Sequence, residues 1–128
     1  NVEAAIRQLF AAESPPAAAL AAAVDLIAAA VDGQDGFGCA VAPAVLEASG
    51  STAILREADE AFTRWQSAIV DGIGRRAGPD VADVATLVVA SVEGALILSR
   101  ASGSSEPLRA VGRALVAVLD RAPGRRST

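Results

Sequence analysis

Few residues of this chain could do chemistry. It contains no histidine and a single cysteine, Cys39. Without histidine it lacks the usual general base, the usual relay to a nucleophile and the commonest metal ligand. One thiolate does not make a zinc site. No glycine-rich phosphate loop follows a strand, because no stretch of useful length alternates as a strand does. The carboxylates are scattered surface acids such as Asp59 and Glu60. These absences argue against an enzyme, a metal or a cofactor. What remains is the chemistry of binding: one tryptophan, Trp65, and one acid, Glu93, set in the most apolar run of the chain.

That run is Pro79–Arg100, PDVADVATLVVASVEGALILSR, long enough for a helix of about 33 Å. One apolar stripe follows Val81, Val84, Ala85, Val88, Val92, Ala95 and Leu96, and a second follows Leu87, Ser91, Gly94 and Leu98. A helix apolar on two sides must be covered on two sides. The expectation is that one side faces the domain's own core and the other a partner subunit.

The other segments read as helices too. Val2–Ala12 places Val2, Ile6 and Leu9/Phe10 on one face, with Glu3 and Arg7 spaced to pair. Ser14 and Pro15 suit the start of the next helix, in which Leu20, Val24, Ile27 and Val31 recur at helical spacing. A turn-rich loop, Asp32–Gly38, precedes a short helix over about residues 42–48, with Pro43 in its first turn. Ser51 or Thr52 caps a long amphipathic helix whose face carries Ala58, Phe62, Trp65, Ile69 and Ile73, with Glu60/Arg64 and Asp71/Arg75 as expected ion pairs. Ser104 or Ser105 caps a last helix with the stripe Leu108, Val111, Leu115, Val118 and Leu119. The expected fold class is all-α.

At 128 residues this is one domain with a sizeable core. The hydrophobic content is 52%, much of it alanine, which favours helix. A net charge of −4 argues against the chain gripping nucleic acid by itself. The two most apolar runs, residues 17–31 and 84–99, fall short of a membrane span and carry Asp25 or Glu93. No signal peptide is visible. The chain begins at Asn1 and has no methionine, so it is expected to be a fragment or a processed chain with something missing upstream.

Phe37-Gly38-Cys39-Ala40-Val41-Ala42, then Leu46-Glu47, Leu55-Arg56 and Phe62/Trp65, resemble the C-terminal region of TetR-family transcriptional repressors, closest to the LmrA/YxaF-like subgroup. Glu93–Ala101 and Ser105–Leu108 continue the pattern in order, so the resemblance covers about residues 1–121. It departs at Cys39-Ala40, where a Cys-Pro pair is common; here the proline is Pro43.

The resemblance implies a bacterial, cytoplasmic regulator. Such a protein joins an N-terminal helix-turn-helix domain to a helical domain that binds a small effector and forms a homodimer. This chain would then be the second domain alone, residues 1–121, with residues 1–12 ending the linking helix and residues 122–128 forming a flexible tail. Operator DNA would be reached only through the missing helix-turn-helix domain. In the family the last two long helices of each subunit pack as a four-helix bundle between subunits, here residues 79–100 and 105–121. The interface candidates are Val88, Val92, Glu93, Gly94, Ala95, Leu108, Arg109, Val111, Arg113 and Leu115.

Pockets in helical domains lie between helices and are mostly apolar. The effector candidates are Phe37, Cys39, Phe62, Trp65, Ile69 and Ser91, for a hydrophobic or aromatic small molecule. Trp65 is either a stacking surface or a plain core ring, and Cys39 either a sensor thiol or a small buried hydrophobe. Glu93 either anchors a cationic or hydroxylated ligand or pairs with Arg109 or Arg113 across the bundle; the structural pairing is the favoured reading. The alternative function is a stand-alone dimeric helical ligand carrier or scaffold with no regulatory role, which a helix-turn-helix coding region upstream of Asn1 would exclude.

Overall fold

Six helices account for the described structure: α1 (Val2–Ala12), α2 (Pro16–Gly33), α3 (Val41–Glu47), α4 (Thr52–Ile73), α5 (Val81–Ser102) and α6 (Glu106–Asp120). The computed structural model describes residues 1–12, 15–33, 41–48, 50–74 and 80–121, and no strand occurs among them. The all-α expectation holds.

The helix ends follow local chemistry. Pro16 opens α2, where its missing N–H and fixed φ cost nothing. The Ser51 side chain accepts a hydrogen bond from the Ile54 amide at 3.4 Å and caps α4. At α6 the expectation divides. Ser105 occupies the cap position but its side chain does not cap; Ser104 Oγ instead accepts the Glu106 amide at 3.1 Å. Ser105 spends its hydroxyl on a distant partner, Asp32. Gly103 ends α5 at φ 69°, a left-handed position natural to glycine.

Packing is pairwise: α2 lies on α6, α1 on α4, α5 between α4 and α6, and α3 on α4. The main core gathers Leu20 and Val24 of α2, Ile69 of α4, Ala85 and Val88 of α5, and Leu115 and Leu119 of α6. A smaller cluster of Ala28, Ala95, Leu96 and Leu108 closes the far end. The α2–α6 approach is close because α6 has Gly112 there: a Cβ at Gly112 would lie 2.7 Å from Val24 Cγ1.

The expected ion pairs are partly replaced. Glu3 and Arg7 pair at 3.4 Å, as spaced. Arg64 reaches Glu3 at 3.8 Å rather than Glu60, and Asp71 takes Arg7 at 2.9 Å. The i,i+4 spacing only makes a pair available, whereas the neighbouring helix offers a competing partner. Arg75 and the Ser14 cap lie outside the described residues. The span lengths need correction as well: α2 and α5, of 18 and 22 residues, are each apolar and long enough to cross a membrane by composition. Asp25 and Glu93 do not shorten them, because each is carried within its helix. In this structure both pack within the bundle.

Candidate functional site

The alanine-rich helices leave a gap where α1, α2, α4 and α5 converge. The cavity there has a volume of about 460 Å³, within the usual range for small-molecule sites. α1 contributes Val2, Ala5, Ile6, Leu9 and Phe10; α2 contributes Ala19, Leu20, Ala23, Val24, Leu26 and Ile27. α4 supplies Trp65, Ile69 and Ile73, α5 supplies Val88, Val89, Val92, Glu93 and Leu96, and Leu119 of α6 completes the floor. Val2 and Leu26 are wall residues that are also 50% and 63% exposed. They mark the open side, between α1 and α2.

Two features break the aliphatic lining. Trp65 presents an aromatic surface, and Phe62 packs against it edge to face with ring centroids 5.1 Å apart and planes at 87°. Phe62 is not part of the wall; it sits behind the indole and sets its angle. Among the described residues Glu93 is the only charged one on the wall, and its Oε2 is sealed from solvent.

Sequence reasoning brought Trp65 and Ile69 to the cavity and Phe62 beside it. Ser91 is a correction: its hydroxyl donates to the Leu87 carbonyl of its own helix and lies off the wall. On α5, Val88, Val92 and Glu93, expected at the subunit interface, border the cavity, while Ser91, expected at the cavity, lies off its wall with Leu87, Gly94 and Leu98. Phe37 and Cys39 lie outside the described residues. The α1 wall was missed, although the stripe of Val2, Ile6, Leu9 and Phe10 was its signal.

The interface candidates also sort differently. Leu108 is fully buried, and Val88, Ala95 and Leu115 are buried in the subunit's own core, so they offer no surface to a partner. Val92 and Val111 pack against the same clusters. Arg109 is held inside its own subunit, 3.3 Å from Asp32 and 3.8 Å from Asp25, and Arg113 lies 2.7 Å from Glu106. Gly94 does look outward, with open space where a Cβ would stand. Around it the exposed apolar residues of α5 are Leu87, Ile97 and Leu98; on α6 Val118 is exposed, beside Ala110, Ala114 and Ala117.

A second polar cluster ties the ends of α2 and α6. Buried Ser105 donates to Asp32 Oδ2 at 2.9 Å, and Arg109 Nε donates to Ser105 Oγ at 3.2 Å. The Ser105 hydroxyl, then Arg109, holds the Asp32 carboxyl below its usual range. No group of three or more potential metal ligands occurs among the described residues. The arrangement suits a binding site, and no nucleophile–base pair occurs among the described residues.

No curated protein and no solved structure matched the chain. A family model described as "Transcriptional regulator LmrA/YxaF-like, C-terminal domain" matches residues 16–114. That span takes in α2 through most of α6, including the cavity walls on α2, α4 and α5. The chain belongs to this TetR-type family of LmrA/YxaF-like regulator C-terminal domains.

Proposed function

We propose that this chain is the effector-binding and dimerisation domain of a bacterial, cytoplasmic TetR-type repressor. A small, largely apolar molecule enters the cavity, and the repressor releases its operator through a helix-turn-helix domain that precedes α1. The observation that carries this reading is the two-sidedness of α5. Its inner side walls a cavity of about 460 Å³, while its outer side leaves Leu87, Ile97 and Leu98 exposed.

Those exposed residues, with Val118 and the alanines of α6, make a two-helix apolar face suited to a second copy of itself. Two such faces meeting about a twofold axis give a four-helix bundle in which Gly94 and Ala114 allow close approach. The effector site uses Trp65, Ile69, Val88, Val92 and Glu93, closed by α1. Because α1 is also the link to the DNA-binding domain, a ligand that prefers one position of α1 biases the spacing of the two DNA-reading heads. The effector's differential affinity for the two positions supplies the energy.

Sedimentation of the purified chain, together with operator binding by the full-length protein, tests the reading. The expected result is a dimer at micromolar concentration that Leu98→Glu converts to monomer, weakening association roughly a hundredfold or more by burying an unpaired charge. A stable wild-type monomer, or an operator complex insensitive to every ligand that fills the cavity, would overturn it.

A further inference from the structure

The four helices around the cavity each give it the same length of wall. The lining runs from Val2 to Phe10 on α1, Ala19 to Ile27 on α2, Trp65 to Ile73 on α4 and Val88 to Leu96 on α5. Each stretch is eight residue steps, about 12 Å of helix. Matching ends lie together. Glu3 pairs with Arg64, Arg7 pairs with Asp71, and Phe10 lies over Gly72, so α1 and α4 run the same way. Ile27 and Leu96 meet in the smaller cluster, whereas Phe10, Leu20, Ile73, Val88 and Leu119 meet in the main core. The cavity is therefore a slot with two distinct ends. Val2 and Leu26, at the Trp65 end, are exposed as well as lining; Leu20, Val88 and Leu119, at the Phe10 end, are buried. A polar group carried to the deep end would lose its hydration, whereas one left between Val2 and Leu26 keeps its water. Each methylene taken down the slot adds favourable burial.

We infer that the slot takes linear amphiphiles apolar end first: an unbranched hydrocarbon body of about ten carbons, with one polar group left at the Trp65 end. The inference deepens the effector-binding reading above and rests on it. Trp65 marks the entrance, and Phe10 sets the depth. Chain beyond that depth meets the buried side chains of Leu20, Val88 and Leu119 and adds no affinity.

Straight-chain 1-alkanols from hexanol to tetradecanol test it, titrated into the wild-type chain by displacement of the uncharged dye Nile red. The expected result is affinity that rises about fourfold per methylene up to about decanol and levels off beyond it. Phe10→Ala clears the deep end and should move that break by about two carbons, whereas Val2→Ala, at the entrance, leaves it in place. Orientation is read in the wild type from Trp65, the chain's only tryptophan, because bromine in contact with an indole quenches its emission. Bromine beside the hydroxyl, as in 2-bromo-1-decanol, should quench more strongly than bromine at the far end, as in 10-bromo-1-decanol. Affinity that climbs unbroken through tetradecanol contradicts the inference, as does a break that Phe10→Ala leaves unmoved. Equal or stronger quenching by the far-end bromine contradicts it too. Nile red binding that no alkanol displaces removes the inference and leaves the apolar effector site standing. If neither the dye nor any alkanol binds, the effector reading falls and takes the inference with it.

Discussion

Two helix seams in this domain are built from the same parts and behave as opposites. Where α2 meets α6, Gly112 lies under Val24, and a polar clasp joins Asp32, Ser105 and Arg109. Where α1 meets α4, Gly72 lies under Phe10, and ion pairs join Arg7 to Asp71 and Arg64 to Glu3. The first seam is locked: Val24 is buried, Ser105 is buried, and the packing around them is continuous with the main core. The second is only leaned together. No residue of α1 is buried, its ion pairs are solvent-exposed, and Phe10 has the cavity beside it. The hydrogen bond from Arg7 to Asp71 holds the guanidinium charged even more firmly than usual, but exposed pairs add little stability. Of the four helices around the cavity, α1 is the one with no buried residue, which suits the proposed role of admitting a ligand, since moving parts are drawn from regions of low local stability.

Gly112→Val should break the locked seam outright. A Cβ there already lies 2.7 Å from Val24 Cγ1 and 3.2 Å from its Cβ, and although Val24 also borders the cavity, a short β-branched side chain is stiff at χ1 and has no flexible end to swing aside. Urea unfolding should show a loss of about 3 kcal/mol; an unchanged midpoint would mean that α2 and α6 separate easily.

Gly72→Ala is the parallel change at the loose seam. Its Cβ would collide with Phe10, so the ring must move, and the cavity is the space beside it. The expected loss of stability is about 1 kcal/mol, with Nile red affinity falling roughly tenfold, equivalent to about 1.4 kcal/mol of binding. A stability loss as large as that of Gly112→Val, with binding intact, would erase the contrast between the seams.

Acid titration sharpens the comparison with a smaller effect. The Asp32 carboxyl is held below its usual range by Ser105 and then Arg109, while its unfolded value is about 3.9. Between those two values the unfolded chain binds more protons, so stability rises with pH. The contribution is complete above the unfolded value and lost as pH falls through the folded one. Wild type should therefore lose more of its melting temperature than Asp32→Asn on acidification below about pH 4; parallel curves would show that the clasp is not formed in solution.

Much of this was legible in the residues, and the gaps have physical causes. Leu20, Val24, Ile27 and Val31 recur at helical spacing and do form α2. The two stripes of α5 were visible, yet the candidates were not sorted by them: Val88 and Val92, expected at the interface, border the chamber, and Ser91, expected at the chamber, lies off its wall. Periodicity fixes angles about a helix axis and says nothing of what lies at each angle. Arg109 looked free to cross a subunit interface because its partner, Asp32, is remote in sequence. The α1 stripe was seen, but a helix at the start of the chain reads as a linker until α4 and α5 are placed beneath it.

The central claim is that ligand binds under α1 and the partner subunit covers the outer face of α5 and α6. Hydrogen exchange with and without saturating Nile red tests it most directly. The expected result is slowed exchange in Val2–Ala12 and in residues 23–27, with α6 unchanged. Slowing confined to Glu106–Asp120 and the outer turns of α5, with α1 unaffected, would contradict it.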